Sequence, residues 1–253
     1  MSAGGTPISI RVKEFSVFRW VVVSFFLRWI LGIICKVDTG EYRKALEKLA
    51  PGSSAPDRRS SCSGPAILAI NHINFLEVPM LASYGYPRRV TGLAKEETWK
   101  NPFMNFLFNT YGAIPLDREG SYNETFRQVR EAMDRGFFMI VAPEGSRSKN
   151  GILQKGKGGI IQLALATGAP VLPVVHFGGE KVWENMKHLK RTPFFIKVGR
   201  PFRFKCDEGR PGKIVRGQMT DEMMGQLAAL LPEAMRGEYE EQALRESHYL
   251  EFL

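Results

Sequence analysis

From residue 65 onward, short apolar runs alternate with segments whose apolar residues recur at helical spacing. The runs are brief and rich in β-branched or aromatic residues, which is typical of strands buried on both faces of a sheet. They predict strands at residues 65–70, 89–94, 113–115, 137–142, 171–177 and 194–198. Alternation of this kind predicts an α/β fold, with a layered, mostly parallel sheet flanked by helices.

The segments between the runs predict helices at residues 98–109, 122–134, 158–167 and 221–235. Ser121 followed by Glu124 forms a capping box, and Gly136 stands where a helix end is expected. Thr220 is a candidate N-cap for the last helix, and Pro232 is expected to kink or end it.

Residues 15–37 form the most apolar stretch of the chain, and their length suits the roughly 20 residues of a membrane span. Arg19 and Arg28 interrupt the stretch on opposite sides of a helix, and an arginine at mid-membrane costs roughly 2.5–3.5 kcal/mol. We therefore expect a helix that lies in one leaflet, with both arginines reaching the headgroups. The side chains expected to enter lipid are Trp20, Phe25, Phe26, Trp29 and Leu31. A very apolar helix packed on the protein core is the alternative.

Composition divides the chain into an N-terminal membrane-associating segment (1–37), a charged helix with a flexible linker (38–64) and a main domain (65–253). The net charge of +9 suits nucleic acid, anionic membrane or a phosphorylated substrate. The basic residues are spread along the chain without a recognised nucleic-acid motif, so we expect no nucleic-acid partner. The 3 cysteines and 4 histidines lack metal-ligand spacing, and we expect neither a disulfide framework nor a metal site.

Polar groups follow three of the predicted strands: Asn71-His72, residues 143–147 and His176. In such sheets reactive groups gather at the carboxyl ends of the strands. A histidine with a carboxylate five residues later, as in His72 and Glu77, predicts a base and its orienter. The alternative is a histidine satisfied by local hydrogen bonds, with Glu77 favoured in a first helical turn.

Two clusters suit an anion. Arg118 follows a short strand and is suited to a bidentate phosphate contact, although a surface pair with Asp117 is the alternative. In the second cluster Gly145 permits a tight turn, Glu144 is suited to accept from a substrate hydroxyl, and Arg147 offers another phosphate contact. A solvated basic turn is the alternative there.

The apolar run at 171–175 contains a central proline, Pro173. Because proline cannot donate to a strand ladder, we expect an edge strand or a bulge at this position. The run is either a wall of the site or part of the core, and the sequence does not choose between them.

The order of these motifs is more specific than any one of them. It runs from Asn71-His72 and the acid at 77, through Gly112 to Arg118, then 143–148, then the strand with Pro173. This order resembles the lysophosphatidic acid acyltransferase (PlsC-type glycerolipid acyltransferase) family, and the matching blocks span residues 71 to 175.

The resemblance implies a glycerolipid acyltransferase fold and a catalytic role for the main domain. It implies a membrane-associated enzyme of the cytoplasmic face of a bacterial-type inner membrane. This enzyme would move a fatty acyl group from acyl-CoA or acyl-carrier-protein to the free hydroxyl of lysophosphatidic acid (1-acyl-glycerol-3-phosphate), giving phosphatidic acid without a metal or redox cofactor. His72 would be the general base and Glu77 its orienter. The acceptor would be bound by Lys95, Arg118, Glu144, Gly145 and Arg147.

One residue departs from the family pattern, because Glu77 stands where the family usually has aspartate. The charge is kept, but the extra methylene leaves the acceptor open. The alternatives are another acceptor (glycerol 3-phosphate, another lysophospholipid or a glycolipid) and a catalytically silent lipid-binding relative.

Overall fold

The computed structural model describes residues 16–49, 64–116, 122–206 and 211–253. In these ranges the helices are α1 Val17–Ile34, α2 Gly40–Lys48, α3 Glu77–Tyr84, α4 Pro102–Tyr111, α5 Tyr122–Asp134, α6 Gly159–Thr167, α7 Val182–Lys187 and α8 Lys213–Leu230. The strands are β1 Cys35–Asp38, β2 Ile67–Ile70, β3 Arg89–Lys95, β4 Ile114–Leu116, β5 Phe137–Val141, β6 Val171–Phe177, β7 Thr192–Val198, β8 Phe202–Phe204 and β9 Leu250–Phe252.

The strands form one sheet in the order β1-β7-β6-β2-β5-β3-β4, with β8 against β6 and β9 against β8. The central strands from β6 to β4 are parallel, so the predicted α/β fold is confirmed, as are the six predicted strands. Strands β1, β8 and β9 were not predicted. These are short strands that depend on partners distant in sequence.

The direction of the outer strands decides what surrounds the carboxyl ends of the central ones. Strand β7 is antiparallel to β6, and β1 is parallel to β7 with Cys35 opposite Thr192. The starts of β1 and β7 therefore lie where β2, β3, β5 and β6 end. We call this side of the sheet the carboxyl edge, and the C-terminal end of α1 reaches it.

Both faces of the sheet are covered, as the apolar strands predict. Ile67 and Ala69 of β2 face a core built with residues of α5, α6 and α8. Leu68 and Ile70 face the opposite core, built with residues of α1, α2 and α3. This alternation along one strand follows from the period of two of an extended chain.

The helix predictions need correction at two starts. Helix α8 begins at Lys213 rather than 221, so Thr220 is inside the helix, where its Oγ1 donates to the carbonyl of Arg216 at 2.7 Å. Helix α4 begins at Pro102 rather than 98, because the Asn101 side chain caps its first turn and a 3-10 turn precedes it. Helix α3 begins at Glu77, in line with the first helical turn considered for that residue, and helix α7 was not predicted.

Two expected helix ends are present, at Gly136, with a left-handed φ of 83°, and before Pro232. The capping role expected of Ser121 lies outside the described residues.

The expectation that Pro173 marks an edge or a bulge is wrong, because β6 lies between β2 and β7. On the side away from β2, β7 pairing stops at Val174 and β8 pairing is at Val171. Pro173 therefore lies between two ladders, where no backbone N–H is required. Its carbonyl still accepts from Gly199 at 2.9 Å.

Helix α1 has one face on the protein and one apolar face exposed. In the described part of the chain it is the one helix long and apolar enough to cross a membrane. Trp20 and Leu31, which we expected in lipid, are buried, with Trp20 against the ring of Tyr86. Phe25, Phe26 and Trp29 are exposed, as are Phe18, Ile30 and Ile33.

The two arginines of α1 contact protein groups rather than pointing freely outward. The guanidinium of Arg28 lies 5.0 Å from the centre of the Tyr86 ring, and Arg19 donates to the carbonyl of Asn109 at 3.2 Å. The expectation that both arginines reach the headgroups is corrected accordingly, since each guanidinium contacts a protein group at the packed face.

Residues 35–49 pack with the main domain. Strand β1 joins the sheet beside β7, and Tyr42 and Leu46 of α2 are fully buried. Residues 50–63, which include all but the last residue of the linker expected at 51–64, lie outside the described residues.

Candidate active site

The site begins where β2 and β6 end side by side. The Asn71 side chain continues the pairing, since its Nδ2 donates to the carbonyl of His176 and its Oδ1 accepts from the His176 N–H, both at 2.9 Å. This two-way clamp fixes the end of β2 against β6, and the next residue, His72, projects from a rigid position.

His72 and Glu77 meet as the sequence predicts. Glu77 is the first residue of α3, and its Oε1 contacts Nδ1 of His72 in a close hydrogen bond. The histidine side chain is partly exposed and the glutamate is fully buried. With Nδ1 donating to the carboxylate, Nε2 keeps its lone pair and is the nitrogen available as a base.

Glu77 also contacts a second histidine that the sequence analysis placed at a strand end without giving it a role. Its Oε2 contacts Nε2 of His176 and accepts from the Ile73 N–H at 3.1 Å. Burial by itself raises the pKa of Glu77. The contacts with His176 and then His72 outweigh burial and hold this pKa below its usual range.

His176 is built into the core. It is fully buried, its ring stacks on Phe194 with centroids 5.4 Å apart, and Nε2 also lies 2.9 Å from the Asn71 carbonyl. Because Nε2 faces two acceptors, the ring proton belongs there. Its Nδ1 is buried without a hydrogen-bond partner in the described structure. His176 therefore acts as a fixed donor to Glu77.

The loop after β5 holds the backbone of His72 from both sides. Glu144 Oε1 accepts from the His72 N–H at 2.6 Å, and the Ser148 N–H donates to the His72 carbonyl at 2.7 Å. Glu144 Oε2 accepts from both nitrogens of Gln154, at 2.9 and 3.2 Å. Burial raises the pKa of Glu144, and the hydrogen bonds from Gln154 and His72 lower it by less.

This geometry differs from the substrate-hydroxyl contact expected of Glu144. The residue is buried, and protein donors engage both of its carboxylate oxygens. Gly145 has the turn conformation expected of it, with φ of 70°. A Cβ there would lie 2.9 Å from Nζ of Lys157, so this glycine lets the lysine approach the loop.

Arg147 is exposed and lines a cavity of about 340 Å³ beside the His72 turn. Asn74, Phe75, Lys149 and Trp183 are also in its wall. Phe75 and Trp183 stack with their centroids 5.4 Å apart, so the cavity has an aromatic part and a charged part, which holds two cations and the carboxylate of Glu180. A phosphate joined to an apolar chain fits that division chemically.

Lys95 is exposed at the end of β3, opposite Leu116 of β4. One strand, β5, separates β3 from β2, so Lys95 lies roughly 10 Å from His72 along the carboxyl edge. Arg118 lies outside the described residues.

The candidate site lies within a segment that matches a known protein family. The family model described as Acyltransferase matches residues 36–176, which include the site and more than half of the chain. The chain belongs to the acyltransferase family.

Other members of the acyltransferase family are similar over different lengths. A 1-acyl-sn-glycerol-3-phosphate acyltransferase of Cocos nucifera is 29% identical over 76% of this chain and 57% of its own length. A chloroplastic enzyme of the same name, BAT2 of Brassica napus, is 29% identical over 48% of this chain and 36% of its own. The chain thus spans about half or less of these two relatives.

A solved acyltransferase supports the fold. The crystal structure of the 1-acyl-sn-glycerophosphate (LPA) acyltransferase PlsC from Thermotoga maritima matches with a TM-score of 0.57 and 20% identity. The match covers 95% of this chain and 87% of that one, so the two share the fold over nearly their whole lengths.

Proposed function

We propose that this acyltransferase moves a fatty acyl group from acyl-CoA or acyl-carrier-protein to the free hydroxyl of 1-acyl-glycerol-3-phosphate. The products are phosphatidic acid and the free thiol of the carrier. The observation that carries the proposal is the His72 imidazole, which buried Glu77 holds at Nδ1 beside a cavity lined in part by Arg147 and Lys149. The names of the similar enzymes from Cocos nucifera and Brassica napus support the acceptor.

In the proposed mechanism, Nε2 of His72 takes the hydroxyl proton while the hydroxyl oxygen attacks the thioester carbonyl carbon. A tetrahedral oxyanion forms, the C–S bond breaks, and the proton passes from His72 to the departing thiolate. No metal or redox cofactor takes part in these steps. Glu77 stabilises the imidazolium, and general base catalysis of this kind contributes about 10²–10⁴-fold.

The acceptor phosphate is assigned to the cationic side of the carboxyl edge. Arg147 lines the cavity, while Lys95 stands at the end of β3 and belongs to the same edge. Arg118 follows β4 in sequence, and we keep it as a phosphate ligand on the resemblance. Gly145 has no Cβ and so leaves space for the Lys157 side chain beside the loop. Glu144 acts by holding the His72 backbone rather than by binding the substrate.

We further propose that the protein is membrane-associated through α1, which lies in one leaflet with its packed face on the domain. The exposed face carries Phe18, Phe25, Phe26, Trp29, Ile30 and Ile33, and the buried face carries Trp20, Ser24 and Leu31. A helix packed from near its start to near its end is suited to lie along the domain rather than to leave it. We retain the cytoplasmic face of a bacterial-type inner membrane as the proposed location.

The test is release of free thiol from a long-chain acyl-CoA by the full chain in detergent, with lipid products identified by mass spectrometry. Separate reactions contain lysophosphatidic acid, glycerol 3-phosphate, lysophosphatidylcholine or no acceptor, and each is repeated with acyl-carrier-protein as the donor. We expect release that depends on lysophosphatidic acid and gives phosphatidic acid. Release with another acceptor alone contradicts the proposed substrate, and no release with any pair contradicts the proposed enzyme.

A further inference from the structure

The segment from Lys181 to Arg191 presents apolar side chains to solvent among cations. Trp183 and Met186 of α7 are 57% and 39% exposed, and Leu189 at the following turn is 97% exposed. Leu189 has a left-handed φ of 52°, which is uncommon for a residue other than glycine and places it at the tip of the turn. Exposure of such an apolar side chain to water is unfavourable, so the tip is suited to an apolar environment.

The charges of this segment are strongly one-sided. Lys181, Lys187, Lys190 and Arg191 are exposed, and Glu184 is the one carboxylate between 181 and 191. A tryptophan and a leucine bordered by lysines suit the boundary between headgroups and acyl chains, where the apolar parts enter and the ammonium groups meet lipid phosphates. The complementary surface is therefore an anionic phospholipid bilayer.

The position of the segment in the fold connects it to α1. Thr192 of β7 lies opposite Cys35 of β1, and Nη2 of Arg191 donates to the Cys35 carbonyl at 2.9 Å. Cys35 directly follows α1, whose exposed Ile33 lies just before it. The tip around Leu189 is thus next to the C-terminal end of the exposed apolar face of α1.

The same segment also borders the candidate active site. Trp183 stacks on Phe75, and both line the cavity that Arg147 lines. The starts of β1 and β7 and the ends of the central strands share the carboxyl edge, as the strand directions require. A bilayer that met the Leu189 tip would therefore lie at the mouth of the cavity.

We propose that residues 181–191 form a second membrane-contact surface, which docks the cavity mouth on an anionic bilayer so that a lipid acceptor enters without crossing water. This inference adds a bilayer contact that the proposed reaction does not require. It rests on the proposed function in one respect, namely that the acceptor is a lipid that comes from the membrane.

The first test is co-sedimentation of the full chain with sucrose-loaded vesicles of phosphatidylcholine, with or without phosphatidylglycerol. Leu189→Asn removes the apolar tip with a residue that tolerates left-handed φ. Leu244→Asn, at a position that is 83% exposed in a turn packed on α8, is its control. The double variant Lys187→Glu/Lys190→Glu is matched by Arg203→Glu/Lys205→Glu, which makes the same charge change on and beside β8.

We expect Leu189→Asn to weaken vesicle binding several-fold, while Leu244→Asn binds like wild type. Lys187→Glu/Lys190→Glu should lower binding to phosphatidylglycerol vesicles by at least about tenfold, and by much more than its control, because each surface cation contributes about 1 kcal/mol. Binding of each variant equal to that of its control would overturn the proposal. A change in oligomeric mass without a change in vesicle binding would assign the surface to a second copy of the chain instead.

The second test separates this proposal from the proposed reaction. Turnover of a short-chain lysophosphatidic acid below its micelle concentration should be the same in wild type and Leu189→Asn, while turnover of a long-chain acceptor in vesicles falls several-fold in the variant. An equal loss on both acceptors overturns the docking role. An inactive wild type refutes the proposed function, and vesicle binding then still decides the docking surface.

Discussion

At the scale of single side chains, Glu77 makes more contacts than it needs to orient one histidine. Its two oxygens serve His72 on one side and His176 with the Ile73 N–H on the other. The family usually has the shorter aspartate here, and the extra methylene lets one carboxylate reach both rings. Loss of the His176 donor would leave a buried carboxylate less satisfied, at a typical cost of about 1–3 kcal/mol.

We predict that His176→Phe, which keeps an aromatic ring against Phe194, lowers kcat about tenfold and leaves the acceptor KM unchanged. His176→Gln, which keeps a donor, should recover part of the loss. Glu77→Asp should also lower kcat, because the shorter side chain withdraws its carboxylate from the two histidine rings.

The double variant Glu77→Asp/His176→Phe tests whether these residues act together. We expect it to be little slower than Glu77→Asp, because the contact that His176→Phe removes is already broken there. Steady-state kcat and KM for the four proteins complete the cycle. Multiplicative losses would show that His176 supports the fold independently of Glu77.

Single residues differed in how far the sequence could predict them. His72 and Glu77 are close in sequence, and a turn into a helix was enough to bring them together. The role of His176 depends on β6 lying beside β2, a pairing between segments about a hundred residues apart. A lone histidine at the end of an apolar strand was the available signal.

At the scale of elements, the loop from β5 to α6 braces the end of β2. It accepts from the His72 N–H through Glu144 and donates to the His72 carbonyl through Ser148. Because His72, the proposed general base, lies between these two hydrogen bonds, the position of the loop also fixes the position of the imidazole. We expect this brace to affect turnover more than acceptor binding.

Glu144→Gln places an amide NH₂ among groups that already donate, so at least one of the hydrogen bonds to His72 and Gln154 is lost. We predict a fall in kcat of about tenfold with a small change in KM. Glu222→Gln is the matched control. Glu222 is also buried and accepts from two backbone N–H groups, those of His248 and Tyr249, away from the site.

Both variants should lose thermal stability, but only Glu144→Gln should lose kcat. Equal kcat values for the two proteins would mean that the brace has no catalytic role.

Elements were predictable where their own residues decide them. The six buried strands have that property, because apolar, β-branched runs leave few alternatives. The start of α8 was harder to predict from its own residues. Its first two turns mix Lys213, Arg216 and Gln218 with the apolar Val215 and Met219. Packing of those two apolar residues on the core extends the helix back past the capping signal at Thr220. Strand β1 was read as the end of the apolar helix, since its pairing with β7 is not local.

At the scale of the whole molecule, the two buried carboxylates of the candidate site, Glu77 and Glu144, affect the stability of the fold with opposite dependences on pH. The pKa of Glu77 is lower in the folded chain than its ordinary value of 4.5, so its ionisation stabilises the fold above pH 4.5. This contribution is lost as the pH falls from 4.5 through the lowered folded pKa. The pKa of Glu144 is raised, so protonation of Glu144 stabilises the fold as the pH falls through its raised pKa towards 4.5.

We predict that the difference in Tm between wild type and Glu77→Gln is several degrees at pH 7 and narrows below pH 4.5. For a domain of this size about 1 kcal/mol corresponds to 2–4 °C. The difference for Glu144→Gln should widen as the pH falls from 7 towards 4.5. Calorimetric scans across this range measure both, and parallel curves for the two variants would contradict the assigned shifts.

The fold as a whole gathers its chemistry at the carboxyl edge of the sheet. Four adjacent central strands carry at or just after their carboxyl ends His72, Lys95, Glu144 and His176, and the C-terminal end of α1 meets the same edge. The sequence predicted the edge for the reactive groups, because parallel strands end together. It did not predict that the reversed β7 and β1 would bring the apolar helix beside them.

The most direct test of this account is acceptor-dependent thiol release by His72→Ala, compared with wild type and with His248→Ala. His248 is an exposed histidine just before β9, and its backbone N–H donates to Glu222 of α8. With Tm unchanged in both variants, we predict that His72→Ala loses at least about 100-fold in kcat, as expected when a general base is removed. His248→Ala should stay within twofold of wild type. Retention of more than a tenth of wild-type kcat by His72→Ala would contradict the account.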